Sequence, residues 1–370
     1  MIYADVVVVG CGLSGAVLAE RFATVLDRKV LILEKRNHVA GNCFDYREKG
    51  ILINKYGAHL FHTNDKGVWE YVKKFSEWVR WDHRVLGDID GKLVPIPANI
   101  NTINSLCGTN LQTQEEMKEW LSAVQVIPER MENGEQMALS RVGKDLYQKI
   151  FRTYTKKQWD KYPEELDPSV LARIPVRDNF DDRYFNDRFQ ALPKEGYTQF
   201  IKNMISHPNI SVMVETDFFK IRDRLDYNVL LFSGPIDKYF RDKGLEPLEY
   251  RSIDFQMEIL EDTPYFQPNS VVNYPQDNVS FTRIVEYKHF LHQQSPHTII
   301  VREFPCDDGE PYYPVPNEKN KRLYEQYRQI ATLEKNVYFV GRLANYKYFN
   351  MDAAIRNALD FFTQHFETKN

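Results

Sequence analysis

The sequence predicts an α/β protein: a discontinuous Rossmann-like domain, a helical insertion domain and an antiparallel β-sheet domain. Three observations carry that expectation. Residues 5 to 10, DVVVVG, are β-branched and apolar on both faces, as a buried parallel strand requires. Helical spacing over 13–26 and a second apolar run, KVLILEK at 29–35, complete a βαβ unit. Farther on, RSIDFQMEIL, SVVNYP and HTIIVREF, between 251 and 304, alternate as antiparallel strands do.

The remaining elements follow in chain order. From about 65 to 150 the pattern reads as mostly helical, with Trp69, Val72 and Phe75 on one face and EEMKEWLSAV near 115–124. Prolines at 163, 168, 175 and 193 then punctuate a loop-rich stretch. NVLLFSGP near 229 and NVYFVGR near 337 read as buried strands ending in glycine that rejoin the first sheet. The expected division is therefore 1–80, 195–240 and 315–370 for the Rossmann-like domain, 81–180 for the helical domain, and 181–194 with 241–314 for the sheet domain. A chain of 370 residues is long enough for two or three such units.

Bulk charge limits the partners. Lys plus Arg total 48 against 52 Asp plus Glu, a formal charge of −4, so no whole-molecule field exists to hold nucleic acid or an acidic membrane. Any anion must be met by local arginines. The four cysteines, Cys11, Cys43, Cys107 and Cys306, are far apart and have no metal-ligand spacing with histidine, so no metal site and no disulfide framework is expected. No basic leader precedes the first apolar run, and no apolar stretch reaches about 18 residues. A soluble, cytoplasmic protein is expected.

The first turn carries specific chemistry. Gly10, Gly12 and Gly15 form GxGxxG directly after a strand and at the start of a helix. The first glycine makes the turn tight, the second lets backbone approach a pyrophosphate, and the third lets helix and strand pack closely. A pyrophosphate there faces the helix N-terminus, with its free N–H groups and positive dipole end. Glu34, ending the second strand, is placed to accept hydrogen bonds from a ribose 2′-hydroxyl and would repel the extra phosphate of NADP. The following KRNHVAGN resembles flavoproteins of the glutathione-reductase type, in which a basic residue (here Lys35) and then Gly41 and Asn42 approach the flavin side. This favours FAD over NAD.

Other segments offer candidates. INKYGAHLFHTND at 53–65 carries His59 and His62; TYTKKQWDKYP at 153–163 carries Tyr154 and Trp159. Arg173, Arg177 and Tyr184 lie in LARIPVRDNFDDRYF, and Arg283 in FTRIVEYKHF. Taken singly, such residues are as often core histidines, packed aromatics or solvated arginines.

Together, EKRNHVAGN, YGAHLFHTND, YTKKQW, RIPVR, GYTQFI, GPIDKYF, LEYRSI, TRIVEYKHF, EPYYPV and GRLANYKYFNMD resemble the UDP-galactopyranose mutase family in order and spacing, over nearly the whole chain. That family interconverts the pyranose and furanose forms of UDP-galactose. The resemblance implies FAD that is active when reduced: flavin N5 displaces UDP from the anomeric carbon, and the sugar closes again from the flavin-sugar adduct. It also implies a UDP-sugar substrate, an external reductant such as NAD(P)H, a homodimer and a mobile lid.

Site roles come with the resemblance. Arg173 and Arg283 match two diphosphate arginines and, with His62 beside the flavin, are the implied catalytic residues. Tyr154 and Trp159 match uridine-side aromatics, Thr155 a neighbouring polar contact, and Phe151 a wall of the uracil pocket. Tyr184, Tyr313 and Tyr348 match phosphate-binding tyrosines, Asn273 a substrate contact, and His59 a group near both sugar and cofactor. Ser14, Arg36, Leu60, Gly234, Arg342, Met351 and Asp352 join the dinucleotide motif as implied cofactor contacts. Three positions depart from the family pattern: Ile150 precedes Phe151 where a phenylalanine pair is common, His83 aligns with an asparagine at the sugar site, and Asn350 replaces an acid. These leave open UDP-N-acetylgalactosamine or another UDP-hexose as substrate. An FAD-dependent amine oxidase would share the dinucleotide motif but has no use for paired arginines and a tyrosine cluster.

Overall fold

A parallel sheet lies at the centre of the structure, a computed structural model that describes residues 1–172 and 176–367. Its five strands run in the order Ile210–Met213, Val30–Leu33, Ile2–Val9, Leu225–Phe232 and Val337–Phe339. Every pairing is parallel. The sequence pattern explains the middle position of Ile2–Val9: Val6, Val7 and Val8 are buried together, as only a strand covered on both faces allows. The chain leaves this sheet after Val30–Leu33 and returns at 210–232 and again at 337–339, so the domain is discontinuous, as expected.

Helix Leu13–Leu26 follows the first strand at the expected position. Its glycines have distinct steric reasons. A Cβ on Gly15 would lie 2.0 Å from the Gly10 carbonyl oxygen, and one on Gly41, at φ +53°, 2.8 Å from the Gly12 Cα. The first contact seats the helix against the strand; the second brings a following loop onto the turn. The far end of the helix packs on Met351–Phe362, where the Phe22 and Phe362 rings meet edge to face at 5.2 Å.

The second sheet has seven strands, ordered Tyr313–Pro314, Tyr250–Leu260, Thr298–Cys306, Arg283–Glu286, Val271–Asn273, Val85–Ile89 and Lys92–Ile96. All its pairings are antiparallel except that between Val271–Asn273 and Val85–Ile89. The last two strands correct the helical reading of 65–150. Asp90 and Gly91 both have positive φ, 53° and 75°, and Ile89 pairs with Lys92: a two-residue Asp-Gly hairpin turn. Trp78–Arg80 is also a strand, and pairs with Phe189–Pro193, which in turn pairs with Phe61–Thr63.

Helices do occupy the rest of the insertion: Ile100–Cys107, Gln114–Val124, Gly134–Leu146 and Thr153–Trp159. Thr113 and Glu116 form a reciprocal cap at the start of the second. A wider, π-helical turn at Tyr147–Arg152 joins the last two and buries Ile150 and Phe151. One apolar core runs through all three parts, from Val6 and Val8 through Leu146 and Trp159 to Val285 and Ile299. No helix among the described residues is long and apolar enough to cross a membrane.

The Gly15 contact gives a direct test. Gly15→Ala would force helix and strand apart and is expected to cost roughly 3 kcal/mol, read as a lower urea midpoint. An unchanged midpoint would mean that the turn relaxes freely.

Candidate active site

One cavity of about 950 Å³ runs from the glycine turn to the antiparallel sheet. At one end stand Gly10, Gly12, Ser14, Gly41, Asn42 and Gly234. Gly12 caps its helix with extended backbone and no side-chain bond, which leaves the first N–H groups of Leu13–Leu26 without a side-chain cap. Asn350 likewise makes no side-chain cap for Met351–Phe362, although Asp352 Oδ1 accepts the Ala353 N–H at 2.7 Å, so two helix N-termini open on this cavity. Gly15 is not in the lining, because its role is the contact with Gly10.

Glu34 is buried, and its two oxygens accept the backbone N–H groups of Cys11 and Arg36, both at 2.9 Å. The carboxylate thereby ties the second strand to the glycine turn and keeps lone pairs for a ligand. Arg36 donates two bonds to Asn42 Oδ1, each 3.0 Å, and lies 4.4 Å from the centre of the Tyr56 ring. Lys35 and Arg36 both pair with Glu310, which arrives from the sheet domain. Sequence reasoning missed Glu310 and Tyr56, since nothing local in DDGEP or NKYG marks them.

Strand register builds the opposite end. Phe255 pairs with Glu303, Glu303 with Arg283, Arg283 with Asn273, and Asn273 with Gly87. Residues directly opposite in adjacent strands share a face, so this row forms one floor, and all five residues line the cavity. Arg283 Nε stands 3.2 Å from Glu303 Oε2, although its N–H is not aimed for a hydrogen bond. Arg283 keeps 30% of its side chain open to the cavity while Glu303 keeps 5%. Burial pushes the Glu303 carboxyl above the usual carboxylate range, and Arg283 pulls it back. Asn273 Oδ1 is buried with no protein partner, an acceptor left for a ligand.

Side walls come from other elements. Phe151 and Tyr154 project from the helical insertion, Tyr184 from the loop after it, and Tyr313 and Tyr348 from the last third of the chain. Burial pushes Tyr154 up to about 12, so it is a neutral hydrogen-bonding phenol. Tyr313 and Tyr348 stack at 5.4 Å, and Arg342 lies 5.4 Å from the centre of the Tyr313 ring. Thr155 and Trp159 are buried behind this wall and are absent from the lining; Trp159 instead contacts Tyr313 and Tyr348 at 6.3 and 6.5 Å. Arg173 lies outside the described residues. Leu60, Met351 and Asp352 line the middle of the cavity with the histidines.

Three histidines differ in how they are held. His59 donates from Nδ1 to the Gly57 carbonyl at 2.8 Å, and burial, aided by Arg342, pushes it down to about 4. His62 stacks on Phe185 at 3.7 Å and gives Nδ1 to Asp187 Oδ2 at 2.8 Å, which leaves Nε2 as the other ring atom. Neither Phe185 nor Asp187 was legible in sequence. His83 is buried among Tyr184, Phe185 and Phe290, and burial, with Arg283 and His62 adding, pushes it down to about 3.

Among the described residues, the cavity's bases are Lys35, Arg36, Lys238, Arg241, Arg283 and Arg342, and its acids Glu34, Asp187, Asp217, Glu303, Glu310 and Asp352. Six against six leaves no net charge, so any attraction for a diphosphate is local.

Comparison with known proteins decides the family. The model of UDP-galactopyranose mutase matches residues 149–348, and that of an NAD(P)-binding Rossmann-like domain residues 8–75. The "Probable UDP-galactopyranose mutase" of Klebsiella pneumoniae is 36% identical, with 96% of this chain and 93% of that protein covered. The chain belongs to the UDP-galactopyranose mutase family. Another relative is dTDP-fucopyranose mutase of Escherichia coli, also 36% identical, with 96% of each covered. A crystal structure of reduced UDP-galactopyranose mutase shares the fold, at a TM-score of 0.75 and 14% identity over all of this chain and 95% of that one. The family is one of isomerases, and the resemblance drawn from short motifs holds at full length.

His83 makes stability pH-dependent. It stays neutral in the fold, while in the unfolded chain it takes up a proton below its ordinary 6.5. Its contribution is therefore complete above pH 6.5 and is lost as pH falls toward about 3. Between pH 6.5 and 4.5 this is expected to remove roughly 2 kcal/mol. In His83→Asn, urea midpoints over that range should fall less steeply than in the parent protein; equal slopes would contradict the assignment.

Proposed function

We propose that the protein is an FAD-dependent mutase interconverting UDP-galactopyranose and UDP-galactofuranose. The observation that carries the reading is the single cavity joining a dinucleotide turn to the Arg283 row. FAD fits its first end on structural grounds. Gly12 has only the Gly41 Cα, at 3.9 Å, near the place of a missing Cβ, so backbone there admits a pyrophosphate. Two helix N-termini and the Glu34 carboxylate face the same space. Bound and reduced, FAD supplies an electron-rich nitrogen, N5, able to attack the anomeric carbon.

The chain's own residues hold, orient and exclude water. Arg283 offers a guanidinium fork to the diphosphate as its negative charge grows on leaving, with Arg173 assigned the same task. Tyr184, Tyr313 and Tyr348 donate phenolic hydrogen bonds to the phosphates, and Asn273 binds the sugar. Phe151 and Tyr154 wall the uracil, with Thr155 and Trp159 supporting that wall from behind. His62 is assigned to the cofactor side, and His59 and His83 to the sugar. The wider reading includes an external reductant such as NAD(P)H, a homodimer, a cytoplasmic setting, and a helical unit carrying the lid, with the hairpin 85–96 assigned to the sheet unit.

A dTDP-linked 6-deoxyhexose is the second reading, favoured by the equal identity to dTDP-fucopyranose mutase. UDP-N-acetylgalactosamine and other UDP-hexoses stay with it in one substrate panel, because one hydroxyl or acetamide contact can decide preference.

Anaerobic, dithionite-reduced protein is expected to convert UDP-galactofuranose to the pyranose with its flavin still reduced when turnover ends; flavin oxidised in proportion to product would contradict the reading. Preference for dTDP-fucose in the panel would move the reading to the second substrate. Arg283→Ala should retain the yellow colour and lose about 10²–10³-fold in kcat; undiminished turnover would remove Arg283 from its role.

A further inference from the structure

The helix Thr153–Trp159 sends one side chain away from the nucleotide wall and into the neighbouring loop. Lys157 Nζ lies 2.5 Å from the carbonyl oxygen of Tyr274, 2.9 Å from that of Gln276, 3.2 Å from that of Val279 and 2.9 Å from that of Phe281. An ammonium has three N–H donors, so four carbonyls saturate it. All four belong to the connection between Val271–Asn273 and Arg283–Glu286. That loop closes on itself through Tyr274 N–H to the Thr282 carbonyl at 2.9 Å and an edge-to-face contact of Tyr274 and Phe281 at 4.9 Å. Side chains on both sides of the cage reach the cavity: Tyr154 and Gln158 from the helix, Asn273, Pro275 and Arg283 from the hairpin. A further tie runs from Arg251 Nε to the Gln158 carbonyl at 3.1 Å.

We propose that Lys157 is a positioning residue whose ammonium, caged by the carbonyls of 274–281, sets the spacing between the nucleotide wall and the Arg283–Asn273 floor. It touches neither wall's ligand-facing atoms and acts through Tyr154 on one side and Arg283 on the other. Several carbonyl dipoles turned inward on one loop repel one another unless a cation stands among them. Without the ammonium only the Tyr274–Thr282 hydrogen bond and the Tyr274–Phe281 contact oppose that repulsion. The inference rests on the reading of the cavity as a nucleotide-sugar site.

The test uses UDP as probe and the FAD-loaded protein. Lys157→Met keeps the unbranched side chain up to its last carbon and removes charge and donors; it is expected to bind UDP about tenfold more weakly at unchanged flavin content, and to exchange backbone amides of 274–281 faster. In Lys157→Ala, methylammonium should restore UDP affinity, whereas tetramethylammonium, equally charged but without N–H groups, should not. A UDP affinity within twofold of the parent protein in both variants overturns the proposal, as does a loss that methylammonium leaves untouched. If neither variant folds, the parent protein decides: UDP must slow amide exchange across 274–281, and unchanged exchange sinks the idea. Failure of the parent protein to bind UDP would instead condemn the reading of the site, and faster loop exchange in Lys157→Met would still uphold the cage.

Discussion

The molecule's central constraint is a guanidinium set in the floor of a cavity whose charges, among the described residues, cancel. Arg283 cannot stand there alone, because a cation drawn partly out of water needs an opposite charge nearby. Glu303 supplies it from the next strand, directly opposite in register. The arrangement balances the charge on one side of the arginine and leaves the other side toward the cavity. Glu303 is the more deeply buried partner, so loss of Arg283 would strand an acid, and loss of Glu303 would free a cation. The antiparallel register that aligns Asn273, Arg283 and Glu303 is thus as much a part of the site as the side chains themselves.

The opposite end follows a different logic. There backbone carries the load, through glycines that allow atoms to approach within distances no Cβ permits, and through helix ends that need no charged side chain. Charged groups serve to join the two ends: Glu310, from the sheet domain, reaches both Lys35 and Arg36 beside the glycine turn. Exposed pairs of this kind contribute little stability singly. Their consequence is geometric, since they register one domain on the other at the rim of the shared cavity.

The sequence displayed the local part of this and concealed the rest. In the first βαβ unit the helix Leu13–Leu26 was legible to the residue and the strands in place but not in their ends, Ile2–Val9 for the expected 5–10 and Val30–Leu33 for 29–35, since apolar runs mark a buried strand and the glycines have a steric cause. Of the three strands that return to the parallel sheet, Leu225–Phe232 and Val337–Phe339 were legible for the same reason, whereas the short edge strand Ile210–Met213 was not. The hairpin Val85–Ile96 was overlooked inside a stretch read as helical, although Asp90-Gly91 is a strong hairpin signal; its strands are five residues each, too short to outweigh the helical spacing around them. Glu303, Asp187, Glu310 and the Lys157 cage have no local mark, because each is defined by a neighbour distant in sequence. Thr155 and Trp159 lie on a helix, Thr153–Trp159, that the sequence did not announce, and the side of it facing the cavity belongs to Tyr154 and Gln158.

The threefold return to one parallel sheet also governs how the chain is made. During synthesis Ile2–Val9 meets Val30–Leu33 at once, yet its other edge waits until the whole helical insertion has left the ribosome and Leu225–Phe232 follows. Val337–Phe339 closes that sheet only after nearly all of the second sheet has emerged. First the valine strand and then Leu225–Phe232 thus carries an unpaired backbone edge open to other chains. Vectorial folding of the amino-terminal portion therefore cannot complete this sheet before the last strand, Val337–Phe339, has been made.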